Sequence, residues 1–221
     1  MTKLDALWNR ARADLTIALE GGEKDIFLWE HSSLVARTAQ RIAQLPEIRP
    51  RTLDESAVVA ACLYHEAAWV SRVRDGQVSP QEVLCRSRGE AHRETSAMFM
   101  EERLAEILPP ESLKRASNAI RTLNDRDIKA IESQVVTESK NLCAVGPLSM
   151  WQLLRRGALE GRGVQTVLDT WRRQKEYSFW TAHIDHSFRF EQVKEIARRR
   201  LASFEHLLED VEKQFECQDV G

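Results

Sequence analysis

The sequence predicts an all-α protein, and three observations carry that reading. Apolar residues recur every three to four positions almost throughout the 221 residues. Only nine Gly and six Pro punctuate the chain, and most fall between helical patterns. No strand-length alternation appears, and no Asn-Gly or Asp-Gly joins two β-rich runs; Asp75-Gly76 lies in a polar loop.

The elements follow in order. Leu4, Leu7, Trp8, Ala11, Leu15, Ala18 and Leu19 share one amphipathic face, started by Thr2 with Asp5 three residues on and stopped by Gly21-Gly22. Residues 29–45 form a second helix that ends before Pro46. Residues 53–68 follow Thr52 with Glu55 as a capping box, and their face is Val58, Ala61, Cys62 and His65. Ser79-Pro80-Gln81-Glu82 reads as another helix start, with a Ser cap, Pro at the first position and Glu at the third. Helices over 89–107, 111–123 and 127–144 precede the stop at Gly146-Pro147, and 148–157 and 164–177 are helical as well. The longest helix, 187–216, carries the stripe Phe190, Val193, Ile196, Ala197, Leu201, Phe204, Leu208, Val211 and Phe215. About nine helices in one compact domain are expected, with a core over about 25–147 and a C-terminal helical extension over about 148–217.

Composition narrows the function. The 34 acidic and 32 basic residues leave a net charge of −2, which argues against wrapping nucleic acid by bulk charge. No apolar run is long enough for a transmembrane helix, and the N-terminal segment has no apolar signal region. Cys62, Cys85, Cys143 and Cys217 lie far apart without a CxxC, so reduced thiols and a cytoplasmic setting are expected.

Two histidines stand out. His31 lies one turn before Leu34 and Val35 on an apolar face, and His65 closes the apolar face of the next helix with Glu66 beside it. The spacing admits two readings. One is a pair of core histidines, each satisfied by a backbone carbonyl. The other is a metal site, since imidazole and carboxylate suit first-row divalent ions. His183 and His186, at i and i+3, read as a polar entry turn to the last helix. The triplet Arg198-Arg199-Arg200 sits among Glu191, Glu195 and Glu205 and reads as a solvated face. The six tryptophans read as core or groove residues.

The local sequences add a resemblance. HSSLVARTAQRIA from His31, followed by AACLYHE ending at Glu66, resembles the paired histidine motifs of the HD-domain superfamily of metal-dependent phosphohydrolases. The segment AHRETSA around His92 is similar to a later family helix, and ESQVVTESKNL over 132–142 is similar to the helix that carries the last acidic ligand. The resemblance spans roughly residues 25–215. It implies a helical fold with a long closing helix, a divalent cation (Mn, Mg, Ni, Fe or Zn) held by His, His-Asp and a distant Asp, and attack of metal-bound water on phosphorus.

The chain departs from that pattern in three ways. Glu66 stands in the place of the HD aspartate, which keeps the charge and adds a methylene. Lys140 stands in the place of the last acid, substituting three N–H donors for oxygen lone pairs. Its charge would also repel the cation by several kcal/mol at about 4 Å. After Asn118-Ala119-Ile120-Arg121 the second family histidine is missing, and Ala67, Ala68 and Trp69 supply no acid or base.

The resemblance therefore implies a remnant cluster of His31, His65, Glu66 and Lys140, with the Lys140 ammonium taking over the role of the metal beside Glu66. If metal is retained, the resemblance instead implies His31, His65, Glu66 and Glu138 as ligands. Glu138 and Lys140, two residues apart on a helix, point about 200° apart and cannot both line one site. Arg72, Arg121 and His92 are the candidates for binding a phosphorylated ligand, with Arg74 nearby. The expected function is that of a catalytically impaired pseudo-phosphohydrolase that binds a small phosphorylated ligand or a protein partner. An active, metal-dependent phosphohydrolase acting on a nucleotide or related phosphate ester, and a structural interaction domain, are the alternatives.

Overall fold

The computed structural model describes residues 2–86 and 89–220. Among them are eleven α-helices and one two-stranded sheet, so the all-α expectation holds with local corrections. No helix is long and apolar enough to cross a membrane among the described residues.

The chain divides into two compact units, Met1–Lys140 and Asn141–Gly221. The first is organised around α3 (Glu55–Tyr64), in which every residue from Ala57 to Tyr64 is buried. Such a helix is apolar on all sides, so the single face read from the sequence is only part of what it hides. Packed around α3 are α1 (Lys3–Leu15), α2 (Phe27–Ile42), α5 (Glu90–Leu104) and α6 (Pro110–Arg121), while α4 (Ala68–Arg74) packs on α5. The last helix that begins in this unit is α7 (Ile131–Cys143).

The start signal at Thr2 and Asp5 is realised. Asp5 N–H donates to Thr2 Oγ1 at 3.1 Å, and Thr2 N–H donates to Asp5 Oδ2 at 2.8 Å. The first helix, however, ends at Leu15. Ile17–Ala18 (β1) pairs antiparallel with Lys24–Asp25 (β2) across Gly21 and Gly22, both at positive φ. The glycines bring the chain back on itself, so the residues before them leave the helix for a ladder. The cap of α3 is Asp54, whose Oδ1 accepts from Ala57 N–H at 3.0 Å, and not Thr52. Both residue types cap well, and Asp54 is further held because its Oδ2 accepts from Ser112 Oγ at 2.6 Å.

The Ser79–Glu82 start is a true capping box that opens only a 3-10 turn, Pro80–Glu82. The backbone swings to positive φ at Leu84, which stops any helix there.

The second unit contains α8 (Ser149–Leu159), α9 (Val164–Glu176), α10 (Phe179–Ser187) and α11 (Glu191–Phe215). Leu168 and Trp171 of α9 meet Phe204 and Leu208 of α11 in its core, with Trp171 and Phe204 edge to face at 5.3 Å. The predicted stripe of α11 is packed from Val193 to Leu208, whereas its last member, Phe215, is exposed. Residues 183–186, expected as an entry turn, lie inside α10, with Phe179 and His183 stacked at i and i+4. Gly146 sits at φ +114, where an added Cβ would come within 3.1 Å of Arg200 Cβ. Both the turn and the close approach require glycine there.

All four cysteines are free; Cys62, Cys85 and Cys143 are buried and Cys217 is exposed.

Candidate functional site

The site begins where α3 becomes α4. His65 and Ala67 keep right-handed helical angles at this junction. The hydrogen bonds tighten to i+3, with Ala67 N–H to Tyr64 O at 2.9 Å, Trp69 N–H to Glu66 O at 3.1 Å and Val70 N–H to Ala67 O at 2.9 Å. The sequence, read as one helix over 53–68, contains this break without signalling it. The Ala68 N–H released by the junction donates to Ser96 Oγ of α5 at 3.0 Å. The overwound turn holds two titratable side chains, His65 and Glu66, that are almost completely shielded from solvent.

The geometry assigns proton positions. His65 Nδ1 lies 2.7 Å from Cys62 O. A carbonyl only accepts, so Nδ1 carries the proton and donates. His65 Nε2 then faces Glu66 Oε1 at 3.8 Å. His31, on the half-buried part of α2, sets its ring 5.3 Å from the His65 ring, tilted by 37°. The two inward histidines read from the sequence therefore do meet. Glu66 Oε2 accepts from Trp69 Nε1–H at 3.0 Å and from His92 Nε2–H at 2.9 Å. His92 is buried, its ring lies 5.1 Å from the Trp69 indole, and its Nδ1 has no hydrogen-bond partner among the described residues. A buried carboxylate is costly unless its lone pairs are matched, and this one is matched largely by aromatic N–H groups.

The remaining candidates are placed as follows. Glu138 is fully buried on α7, while Lys140 is half-buried and donates Nζ to Asn124 Oδ1 at 2.9 Å. The helix runs unbroken through both, so they sit on different faces. Arg72 stacks its guanidinium over the Trp69 ring at 4.9 Å, which puts a cation one turn from the cluster. Arg121 is committed elsewhere. It pairs with Glu94 at 2.7 Å and with Glu101 at 3.0 Å. These hydrogen bonds raise its pKa further above the ordinary arginine range. Arg74 meets Asp75 at the surface. His183 and His186 turn to local partners, Ser187 Oγ at 3.1 Å and Ala182 O at 2.7 Å.

Reading residues for acids and bases passed over Trp69, which supplies an N–H to the carboxylate. Its position three residues after Glu66 was the available signal, because i and i+3 side chains meet on a helix.

A divalent cation would need several donors to converge here. His65 fits, since a ring whose Nδ1–H is held by a carbonyl has its Nε2 lone pair ready for a metal. Glu66 is constrained as a second ligand, because one of its two oxygens is already engaged. Among the described residues no three His, Cys, Asp or Glu side chains converge on a point where one ion would sit. Glu66 Oε2 already holds two N–H donors, and His92 Nε2 is one of them. No step is therefore derived through a metal.

No family model matches the sequence. No curated protein matches it. Solved structures do match the fold. A predicted HD superfamily hydrolase from an uncultured Thermotogales bacterium is 15% identical, with 96% of this chain covering 91% of that one at a TM-score of 0.55. The Lin1889 protein from Listeria innocua is 16% identical, with 98% of each chain covered at a TM-score of 0.60. Bacillus subtilis YpgQ, solved in complex with ADP, is 17% identical, with 95% and 96% covered at a TM-score of 0.57. The chain has an HD-domain-like fold.

Proposed function

We propose that this protein is a pseudo-phosphohydrolase, an HD-fold binding protein for a small phosphorylated ligand whose metal centre has lost its grip. The observation that carries this reading is the state of Glu66. Its Oε2 is engaged by Trp69 and His92, so that only Oε1 faces His65, at 3.8 Å. The sequence supports it independently, with Lys140 where the resembled family has an acidic ligand. Arg72 and Lys140 supply positive charge of the kind a phosphate needs. The ADP complex of YpgQ, a fold neighbour, makes a nucleoside diphosphate the first ligand to try.

An active phosphohydrolase is the second reading, favoured by one observation: the His65 tautomer is the one a metal ligand requires. One experiment separates the two. The purified protein is incubated with excess Mn²⁺ or Ni²⁺, dialysed and analysed for metal, and ADP binding is followed by calorimetry with and without chelator. The pseudoenzyme holds well below one equivalent of metal and binds ADP equally in both conditions. Near-stoichiometric metal that His65→Ala abolishes, with chelator-sensitive release of phosphate, establishes the enzyme instead.

A further inference from the structure

We propose that the second unit carries a binding pocket for a small aromatic carboxylate. The pocket shares no residue with the cluster around His65 and Glu66, and it stands on observations independent of that cluster.

Helices α8, α9, α10 and α11 together line a cavity of about 280 Å³. Trp171, Phe204 and Leu208, buried members of the unit's core, form its floor, while Leu153, Val167 and Trp180 line it nearer to solvent. Three aromatic rings around one cavity suit a planar ring, which gains from edge-to-face and offset contacts as well as from buried area. The walls are held in place. Trp171 and Phe204 meet edge to face at 74°, and Trp180 Nε1–H donates to Gln174 Oε1 at 3.0 Å. A pocket fixed in advance spends little of a ligand's binding energy on reorganisation. Its volume lies at the lower end for ligand sites, which begin at about 300 Å³, and leaves room for one or two fused rings.

Gly157 is a second observation. It is buried within α8 and lines the cavity. Glycine is a poor residue in a helix interior. Its φ is not positive, and the nearest atom that a Cβ there would meet is Arg162 O, at 3.5 Å. Neither backbone nor packing calls for glycine, and the space left by its missing side chain opens onto the cavity.

Charge is the third. Arg156, Glu160 and Arg162 are exposed and also line the cavity. Glu160 is shared, with Arg156 Nε 3.1 Å from its Oε1 and Arg162 Nε 3.1 Å from its Oε2. Two guanidinium groups around one carboxylate leave a positive charge in excess. A monoanion balances it, and a carboxylate matches the guanidinium fork. The ligand is therefore an amphiphile, with its ring against Trp171, Trp180 and Phe204 and its carboxylate toward Arg156 and Arg162.

The probe is 2-naphthoate, titrated calorimetrically into the full chain, with 2-naphthalenemethanol as the uncharged counterpart and octanoate as the aliphatic one. Naphthoate must saturate a single site and bind at least about tenfold more tightly than either control. In parallel, ¹⁵N-labelled indole resonances are recorded. The one lost in Trp180→Phe identifies Trp180, and it must shift on binding. Arg162→Gln must narrow the gap between naphthoate and the alcohol. Gly157→Leu, which fills the cavity, must weaken naphthoate binding at least about tenfold. Absence of saturable binding, equal affinity for a control, an unmoved Trp180 resonance or an indifferent folded Gly157→Leu protein each overturns the pocket.

Should Gly157→Leu fail to fold, Gly157→Ala serves. Its better helix propensity must raise the melting temperature while naphthoate binding weakens, and unchanged binding overturns the pocket. Failure here is distinct from failure of the proposed function. ADP binding is measured separately, and ADP that competes with naphthoate for one site overturns the pocket as a site of its own.

Discussion

Two acids of the first unit, the half-buried Asp14 and the buried Glu66, are handled by opposite means. Asp14 accepts from Tyr64 OH at 2.8 Å and faces two guanidinium groups, Arg10 at 3.1 Å and Arg103 at 3.6 Å. Glu66 accepts from an indole and an imidazole, with a second imidazole 3.8 Å away. The partners of Asp14 stay as they are. Arginine does not deprotonate in proteins, and burial together with Asp14 pushes the Tyr64 phenol well above its ordinary range, so it remains a donor. The partners of Glu66 include two imidazoles that each keep one nitrogen without a proton, Nε2 of His65 and Nδ1 of His92. The first arrangement ties α1, α3 and α5 together. The second keeps exchangeable chemistry in the interior, which is the mark of a site.

The contrast is open to experiment, and the largest effect is expected at Asp14. Asp14→Ala leaves the Tyr64 hydroxyl buried without its acceptor and removes the counter-charge of both arginines. Because the arginines reach solvent, the loss should sit at the lower end for a broken buried pair, about 3 kcal/mol, read by thermal or urea unfolding. Glu66→Gln keeps the volume and an acceptor oxygen for Trp69 and His92, so it should cost about 1 kcal/mol or less. Equal losses for the two variants would erase the distinction between tie and site.

The smallest effect belongs to a third, exposed set. Hydrogen bonds from Arg121 hold Glu94 below the ordinary glutamate range. Burial alone would raise Glu101, but hydrogen bonds from Ser117 and Arg121 outweigh it and hold it low as well. A depressed carboxylate pKa gives stability that is present above the unfolded value, about 4.3, and is lost as pH falls through the folded value. The deficit in melting temperature of Arg121→Gln at pH 7 should therefore shrink below about pH 4.3. A deficit that persists to pH 3 would mean that the clamp acts by packing rather than by charge.

Much of the fold was legible in the sequence, and the particular misreadings have physical causes. The periodicity of 29–45, 89–107 and 164–177 was read as helix and is found as α2, α5 and α9, because one-sided burial leaves a 3.6-residue signature. The sheet at Ile17 and Lys24 was not legible, since two-residue strands have no alternation to read. Nor was the cap at Asp54, because Thr52 and Asp54 have equally good local chemistry and the choice lies with Ser112, 58 residues away.

The site shows the same division. The inward direction of His31 and His65, and the placement of Glu66 and Lys140 where the resembled family has ligands, came from the sequence alone. That His92 and Trp69 converge on one oxygen of Glu66, and that Arg121 is bound to Glu94 and Glu101, depended on how α4, α5 and α6 pack.

By itself the sequence determined the helical class, the order of most helices and the residue types available for chemistry, because these follow from local periodicity, capping and side-chain identity. The tertiary structure decided which donors meet, which carboxylate oxygen they occupy and which arginines remain free to act. Those choices depend on distances between residues remote in the chain, and a hydrogen bond is made or lost within a few tenths of an ångström.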